Sequence, residues 1–319
     1  MARFCSILNW LGRKADPLAL TAVATAGACT LLGFAARHHW RLELISHFRV
    51  QYFWVLAVAV GVLAARRRFR TAMVGAVFAL VNFVLIVPLY FGPDPPATDR
   101  PITRALSLNV HYYNRRYERT LKLIRDEEPD FVLLLEVTPD WIRALRVLYD
   151  RYPFSRLLPH GDSSVAALYS RLPIEPLMVP GQDDNRLPVK LVLPSGTLTL
   201  LCAHPPSPSS PLEFEVRNRQ LEAIARWASA QRGPLMVLGD LNTTSWSPYF
   251  SDFLAVSGLS DSRLGFGVQG TWPSLPLPLR IPIDHCLVSA SVAVCARRVG
   301  AAVGSDHRPI IVDFTIDPR

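Results

Sequence analysis

The sequence predicts an α/β domain preceded by a helical membrane segment, and three observations carry that reading. Residues 1–91 hold three long apolar runs with charges only between them. From residue 102 to residue 319 the texture changes to short apolar runs alternating with amphipathic stretches. Between the two parts lies Gly92-Pro-Asp-Pro-Pro-Ala-Thr-Asp-Arg-Pro101, a Pro-rich linker of the extended, semi-rigid kind. Half of the 319 residues are hydrophobic and mean hydropathy is +0.21, high for a chain lying wholly in water.

Leu18–Ala36 carries no charge and is long enough to cross a bilayer as a helix. An Ala-rich run of this kind also fits a signal peptide. Two further runs, Val50–Ala65 and Thr71–Phe91, favour instead a bundle of about three transmembrane helices. Any one run alone would read as a buried soluble helix. The last two are joined by Arg66-Arg67-Arg68-Phe69-Arg70, and short Arg-rich loops stay in the cytoplasm. That orientation puts everything after Phe91 outside, against a competing basic loop with Arg37, Arg41 and Arg49. The expectation is a multi-pass protein of the cytoplasmic membrane with an extracytoplasmic C-terminal domain.

Within 102–319, eight runs read as strands: Ala105–Asn109, Phe131–Glu136, Ser164–Ser170, Val189–Leu193, Leu198–His204, Leu235–Asn242, Ile283–Ser289 and Pro309–Phe314. Tyr117–Glu128, Asp140–Tyr149 and Glu213–Ala230 read as helices, the last with Leu221, Ile224, Ala225 and Ala228 at helical spacing. This stretch is long enough for one sizeable α/β core.

The net charge of +8 looks like an affinity for nucleic acid until it is split. Residues 1–100 hold 11 Lys+Arg against 4 Asp+Glu, a balance of +7, whereas residues 101–319 hold 23 against 22, a balance of +1. The basic character belongs to the membrane-flanking part and carries no argument about substrate. Cys5, Cys29, Cys202, Cys286 and Cys295 form neither a CxxC pattern nor a dense disulfide framework. Cys286 and Cys295 are symmetric about Ala290-Ser291, so a hairpin disulfide stays open beside the favoured reading of two buried thiols.

The functional signal lies where the apolar runs stop. Ala-Leu-Ser-Leu stops at Asn109, Phe-Val-Leu-Leu-Leu at Glu136, and Leu-Thr-Leu-Leu-Cys-Ala at His204. Leu-Met-Val-Leu-Gly stops at Asp240, with Asn242 on the same side of an extended chain. Asp284-His285 opens Cys-Leu-Val, and Ser305-Asp306-His307-Arg308 precedes Pro-Ile-Ile-Val. Each placement alone is ordinary turn or cap chemistry. Six together, on strands of one core, can converge at one rim as an acidic site. Crowded carboxylates favour a hard cation with oxygen ligands, Mg²⁺ or Mn²⁺ rather than Zn²⁺. Histidines beside such a cation suit phosphate contact and proton transfer.

These residues, with Gly-Asp240-Leu-Asn242 and Ser-Asp306-His307-Arg-Pro as the most specific pair of motifs, resemble the endonuclease/exonuclease/phosphatase superfamily across residues 101–319. That superfamily includes DNase I, the abasic-site endonucleases, neutral sphingomyelinases and inositol-polyphosphate 5-phosphatases. The resemblance implies a four-layer sandwich, two packed β-sheets flanked by helices. It implies Glu136 as main metal ligand with Asn109 and Asp306, and Asp240 orienting or deprotonating the attacking water beside Asn242. It further implies His307 on the scissile phosphate, paired with Asp284, and His204 at a phosphate oxygen. The N-terminal half resembles bacterial membrane-anchored members, as do Asn242-Thr-Thr-Ser-Trp246 and Thr271-Trp272-Pro-Ser. Trp246, Trp272 and Arg308 are candidates to line the substrate entrance, although core packing is the usual fate of a Trp.

The expected function is a membrane-anchored, Mg²⁺-dependent phosphoesterase for a phosphomonoester or phosphodiester. A lipid-linked phosphate at the outer face of the membrane fits the bilayer partner. A metal-dependent nuclease is the alternative; Arg115-Arg116-Arg119 and Arg217-Arg219 would serve it, against the plainer reading of both as solvated helix faces. A non-catalytic scaffold is the third reading, disfavoured because no acidic or His position of the motif is missing. No obligate protein partner is evident.

Overall fold

A computed structural model describes residues 2–94, 99–160, 164–177 and 186–316. It divides into two compact units, Met1–Pro88 with Trp246–Pro248, and Leu89–Ser245 with Tyr249–Arg319. Residues 95–98 of the expected linker lie outside the described residues.

The first unit is helical: α1 (Ala2–Leu32), α2 (Trp40–Ser46), α3 (Arg49–Ala65) and α4 (Phe69–Ile86). Ala19, Val23 and Ala26 of α1 meet Leu56, Ala59 and Leu63 of α3 and Ala72 and Ala79 of α4. The spacing of three and four residues puts each set on one stripe, and the small side chains let the backbones approach. Leu31, Val58 and Leu80 face outward, as suits a lipid surface.

Two segments, Ala15–Ala35 and Phe69–Tyr90, are long and apolar enough to cross a membrane. The third expected span is not confirmed. α3 has 17 residues, and at ~1.5 Å per residue it reaches ~25 Å, short of a ~30 Å hydrocarbon core. It counts as a span only if joined to α2, from which it is bent by 60°. Glu43, Ser46, His47 and Arg49 are all buried at that break, so polar side chains interrupt the apolar run.

The second unit is a four-layer sandwich. Its strands are β1 (Thr103–Asn109), β2 (Phe131–Val137), β3 (Phe154–His160), β4 (Ser164–Ser170), β5 (Ile174–Pro176) and β6 (Arg186–Leu193). They continue as β7 (Gly196–Ala203), β8 (Leu235–Asp240), β9 (Ser260–Asp261), β10 (Asp284–Val288), β11 (Val292–Val299) and β12 (Ile310–Ile316). One sheet runs β11-β12-β1-β2-β4-β3, the other β5-β6-β7-β8-β10-β9.

Alternate residues of each strand supply different layers. Ala105, Phe131, Leu133, Val312 and Phe314 from the first sheet meet Leu198, Leu200, Cys202, Met236 and Leu238 from the second, between the sheets. Leu106, Leu108, Val132 and Leu134 point the other way, onto α5 (Tyr117–Glu127) and α6 (Pro139–Ala144). Leu201, Val237 and Leu287 likewise cover α7 (Pro211–Ser229) and α8 (Pro248–Ser257).

Strand direction selects the functional rim. β1 and β2 are parallel, as are β7 and β8, so Asn109, Glu136, His204 and Asp240 stand at their C-terminal ends. β10 runs antiparallel to β8 and starts at that rim, with Asp284 opposite Asp240. β12 runs antiparallel to β1, so the Asp306-His307 loop also enters there.

Several elements escaped the apolar-run reading. β3, β5, β9 and β11 have no clean apolar run, and β11 is a bulged edge strand whose burial is irregular. α8 buries Phe250, Phe253 and Ser257 on one face. The expected helix 140–149 becomes α6 followed by a 3₁₀ turn, Leu145–Leu148. Cys286 and Cys295 are free and lie in different sheets.

Gly239 marks a position where the backbone admits no side chain. Its φ is +145°, and a Cβ would stand 2.0 Å from the Ala203 carbonyl oxygen of the paired strand. Gly239→Ala is expected to cost at least ~1–3 kcal/mol from backbone strain alone. It should also displace Asp240, and thermal unfolding followed by fluorescence should show a lowered Tm.

Candidate active site

Each expected site residue sits where a regular element gives way to a turn. β2 carries a register shift between Leu134 and Val137, and Glu136 within it has φ +58°. Such a bulge re-aims a side chain at a small conformational cost. His111 and Asn242 also have positive φ, +60° and +49°. These excursions cluster at the rim, where three of six such non-glycine residues among the described ones are found.

Asn109 links the two sheets. Its Nδ2 donates to Glu136 Oε1 at 2.8 Å and to Asp240 Oδ2 at 3.3 Å. Its Oδ1 accepts the His111 amide, and its carbonyl accepts the Ser305 hydroxyl at 2.6 Å. Ser305 in turn accepts the His307 amide, which fixes the start of the Asp306-His307 loop. His204 Nε2 lies 3.8 Å from both Glu136 Oε1 and Asp240 Oδ2.

The centre is a chain of three buried groups. His307 Nδ1 is 2.9 Å from Asp284 Oδ2, and its Nε2 is 3.6 Å from Asp240 Oδ2. Burial disfavours an imidazolium, but the Asp284 and Asp240 carboxylates outweigh it and push His307 up to about 10. Burial raises Asp240 to about 7, with the Asp284 charge adding to the shift and the His307 cation opposing it. Burial acts the same way on Asp284, yet the charge and hydrogen bond of His307 hold it below the usual carboxylate range.

Asp240, Asp284 and His307 offer atoms within 4.8 Å of one another, a spacing that a metal ion could bridge. Their chemistry points elsewhere. A protonated His307 has no lone pair for a cation and already donates to Asp284. The set better suited to a hard cation is Glu136, Asp306 and Asn109, all oxygen donors. Glu136 and Asp306 both act on the Tyr112 hydroxyl, whose pKa is raised chiefly by its hydrogen bond to Tyr113. Asp306 is also held by Trp272 Nε1, which donates to Oδ2 at 3.1 Å, and lies 3.9 Å from His111 Nδ1.

Asn242 is held from three sides. Its amide donates to Asp240 Oδ1 at 2.9 Å, its Nδ2 to the Pro205 carbonyl, and its own carbonyl accepts Arg217 Nη1 at 2.9 Å. Arg217 corrects the reading of a solvated helix face: it is fully buried and lies over the Phe214 and Tyr249 rings. Only burial distinguishes it from its neighbour Arg219, and no sequence signal marks that.

Of the entrance candidates, Trp272 and Arg308 are at the rim, Arg308 donating its amide to the Thr271 carbonyl. Trp246 groups with the helical unit, its indole donating to the Leu85 carbonyl. His285 points to the outer layer, where burial lowers it to about 3 and its Nε2–H donates to Thr243. His111 and Tyr112 were not singled out in the sequence, and Ser305 and Thr271 stood there within motifs without a role of their own. The first three flank Asn109 or Asp306 in sequence, which was the available signal.

Comparison with known proteins follows the same geometry. A profile of the Endonuclease/Exonuclease/phosphatase family matches residues 106–307. The chain belongs to that family. Its members are generally metal-dependent hydrolases acting as nucleases or phosphatases. The UPF0294 protein YE0917 of Yersinia enterocolitica is 25% identical over 238 residues, 69% of this chain and 87% of that protein. An endonuclease/exonuclease/phosphatase from Beutenbergia cavernae superposes with a TM-score of 0.53 at 22% identity, covering 68% of this chain and 72% of that one. The D. rerio TDP2 complexed with single strand DNA product gives a TM-score of 0.54 at 18% identity, with 67% and 99% covered. At these identities the structural likeness establishes the fold.

Two expectations follow from this family site. Arg217→Met should leave the fold intact but lower kcat on bis-p-nitrophenyl phosphate by roughly 10-fold or more through a displaced Asn242. The second concerns pH. His307 lies above its unfolded value of ~6.5, so the stability from its charge is complete below ~6.5 and is lost as pH rises through about 10. Tm should therefore fall from neutral to alkaline pH, and His307→Gln should flatten that dependence. Activity that needs the Asp240 carboxylate should fall as pH drops through about 7, which a pH profile of kcat/KM would show.

Proposed function

We propose that this chain is a membrane-anchored, divalent-cation-dependent phosphoesterase acting on a lipid-linked phosphate. Its catalytic unit would sit on the outer face of a bacterial cytoplasmic membrane. The observation that carries the chemistry is the Asp240–His307–Asp284 chain beside an oxygen donor set of Glu136, Asn109 and Asp306. The two apolar segments and the +1 balance of residues 101–319 support the lipid reading over a basic phosphate track.

In this reading Glu136, Asp306 and Asn109 would hold Mg²⁺ or Mn²⁺. A cation held there would supply electrostatic neutralisation of charge on the non-bridging oxygens and the leaving group. Asp240, raised towards neutrality by burial, accepts a proton from the attacking water and aims it, with Asn242 contacting the same phosphate. His307 presents a cationic Nε2–H to the phosphate, and Asp284 fixes its orientation and keeps it charged. His204, 3.8 Å from Glu136 and Asp240, contacts another phosphate oxygen.

A nuclease reading has one observation in its favour: Tyr112 and Tyr113 are exposed at the rim with ring centroids 4.1 Å apart, a surface on which bases can stack.

The full chain in detergent, supplied with Mg²⁺, should hydrolyse bis-p-nitrophenyl phosphate and a lipid phosphate, and leave plasmid DNA intact. Activity on DNA alone would overturn the lipid assignment, and no activity on any of the three would favour a scaffold. Asp240→Asn and His307→Ala should each lower kcat by about 10²–10⁴-fold. Glu136→Ala should instead raise the Mg²⁺ needed for half-maximal activity by at least ~10-fold. Equal loss of metal binding in Glu136→Ala and His307→Ala would show these roles to be misassigned.

A further inference from the structure

The mouth of the site carries apolar residues that the chemistry does not use. Residues 272–280 read Trp-Pro-Ser-Leu-Pro-Leu-Pro-Leu-Arg, and Leu275, Leu277 and Leu279 are 48%, 67% and 53% exposed. No charge falls among them, and the alternating prolines restrict the backbone that displays them. The base of this loop is closed by mutual hydrogen bonds between Trp272 and Ile281. Across the site mouth, Tyr112 and Tyr113 are 46% and 73% exposed.

Asp306 ties these two surfaces together. Trp272 at the base of the leucine loop donates to its Oδ2, while His111, next to the tyrosines, approaches its Oδ1. Two arginines stand at the base of the same ribbon. Arg308 bonds through its amide to Thr271, and Arg280 lies so close to Gly270 that a Cβ there would meet its side chain at 2.6 Å. Arg280 is held below the usual arginine range by burial and by the charge of Arg308. Arg308 Nε is buried with no hydrogen-bond partner among the described residues. Exposed leucines and tyrosines with arginines at their base are the composition of a surface that lies in a bilayer interface. A nucleic acid would meet leucines, which neither stack with bases nor contact phosphate.

We infer that Leu275, Leu277 and Leu279, with Tyr112 and Tyr113, seat the mouth of the site on an anionic phospholipid surface, with Arg280 and Arg308 receiving headgroup phosphates. The inference names the surface that delivers the substrate, and only its kinetic arm rests on the phosphoesterase reading.

The test uses the full chain in nanodiscs of phosphatidylcholine with phosphatidylglycerol and phosphatidic acid. A polarity-sensitive dye is attached at Leu277→Cys, with identically treated wild type as background. Headgroup-level spin-labelled lipid should quench the dye at least two-fold. Unchanged emission, or protection by a single-stranded oligonucleotide without quenching by lipid, would overturn the docking surface. In the kinetic arm, Leu275→Ser/Leu277→Ser/Leu279→Ser should lower hydrolysis of phosphatidic acid in the disc at least ten-fold and leave bis-p-nitrophenyl phosphate hydrolysis unchanged. Equal loss on both substrates, or loss on neither, counts against the inference. A wild type inert on both substrates would defeat the phosphoesterase reading, while the quenching result would still decide the surface.

Discussion

Two carboxylates face each other across the β8–β10 pair, Asp240 opposite Asp284, both buried, and His307 is the cation that makes this tenable. Like charges taken out of water repel strongly and lose hydration, and a group between them must carry the opposite sign. Removing one partner from such an arrangement typically costs about 3–5 kcal/mol, because it strands the others. The site is therefore built around one imidazolium. Its position depends on Ser305, which accepts the His307 amide while donating to Asn109, and so couples the loop before β12 to the end of β1.

That dependence explains why the sandwich brings its two sheets together at one rim. Asn109 comes from one sheet and Asp240 from the other, and a single carboxamide bonds to both Glu136 and Asp240. A buried polar network of this kind rigidifies when its members are satisfied. Gly239 lets β8 approach β7 closely enough to deliver Asp240, and buried Arg217 anchors the turn that follows it. The site is uneven in burial: Glu136 and Asp306 are partly exposed, whereas Asn109, Asp240, Asp284 and His307 are buried.

A second buried charged cluster shows the contrast. Asp261 and Arg263 pair at 2.5 Å in the interior, and neighbouring guanidiniums hold the Asp261 carboxyl well below its usual range against its burial. His285 beside them stays neutral. There the charges satisfy one another inside the fold, whereas at the rim they leave Glu136 and Asp306 facing the mouth. The exposed Tyr112 and Tyr113 flank that mouth, and the net positive balance of the chain, +7 of +8, belongs to residues 1–100.

By itself the sequence determined the strand ends. Asn109, Glu136, His204, Asp240, Asp284 and His307 were legible because each breaks an apolar run, and a polar residue there must have a reason to be buried. The apolar runs at 18–36 and 71–91 were legible for the same cause, since hydropathy is a local property. Tertiary structure alone decided the rest. Arg217 and Arg219 look alike in sequence, and only packing against Phe214 and Tyr249 buries the first. β11 has no run to read because an edge strand is covered on few sides, and the bend that precedes the 50–65 run, where Glu43, His47 and Arg49 are buried, is set by packing. The positive φ of Glu136 and the charge on His307 arise from neighbours distant in the chain, and no local pattern encodes them.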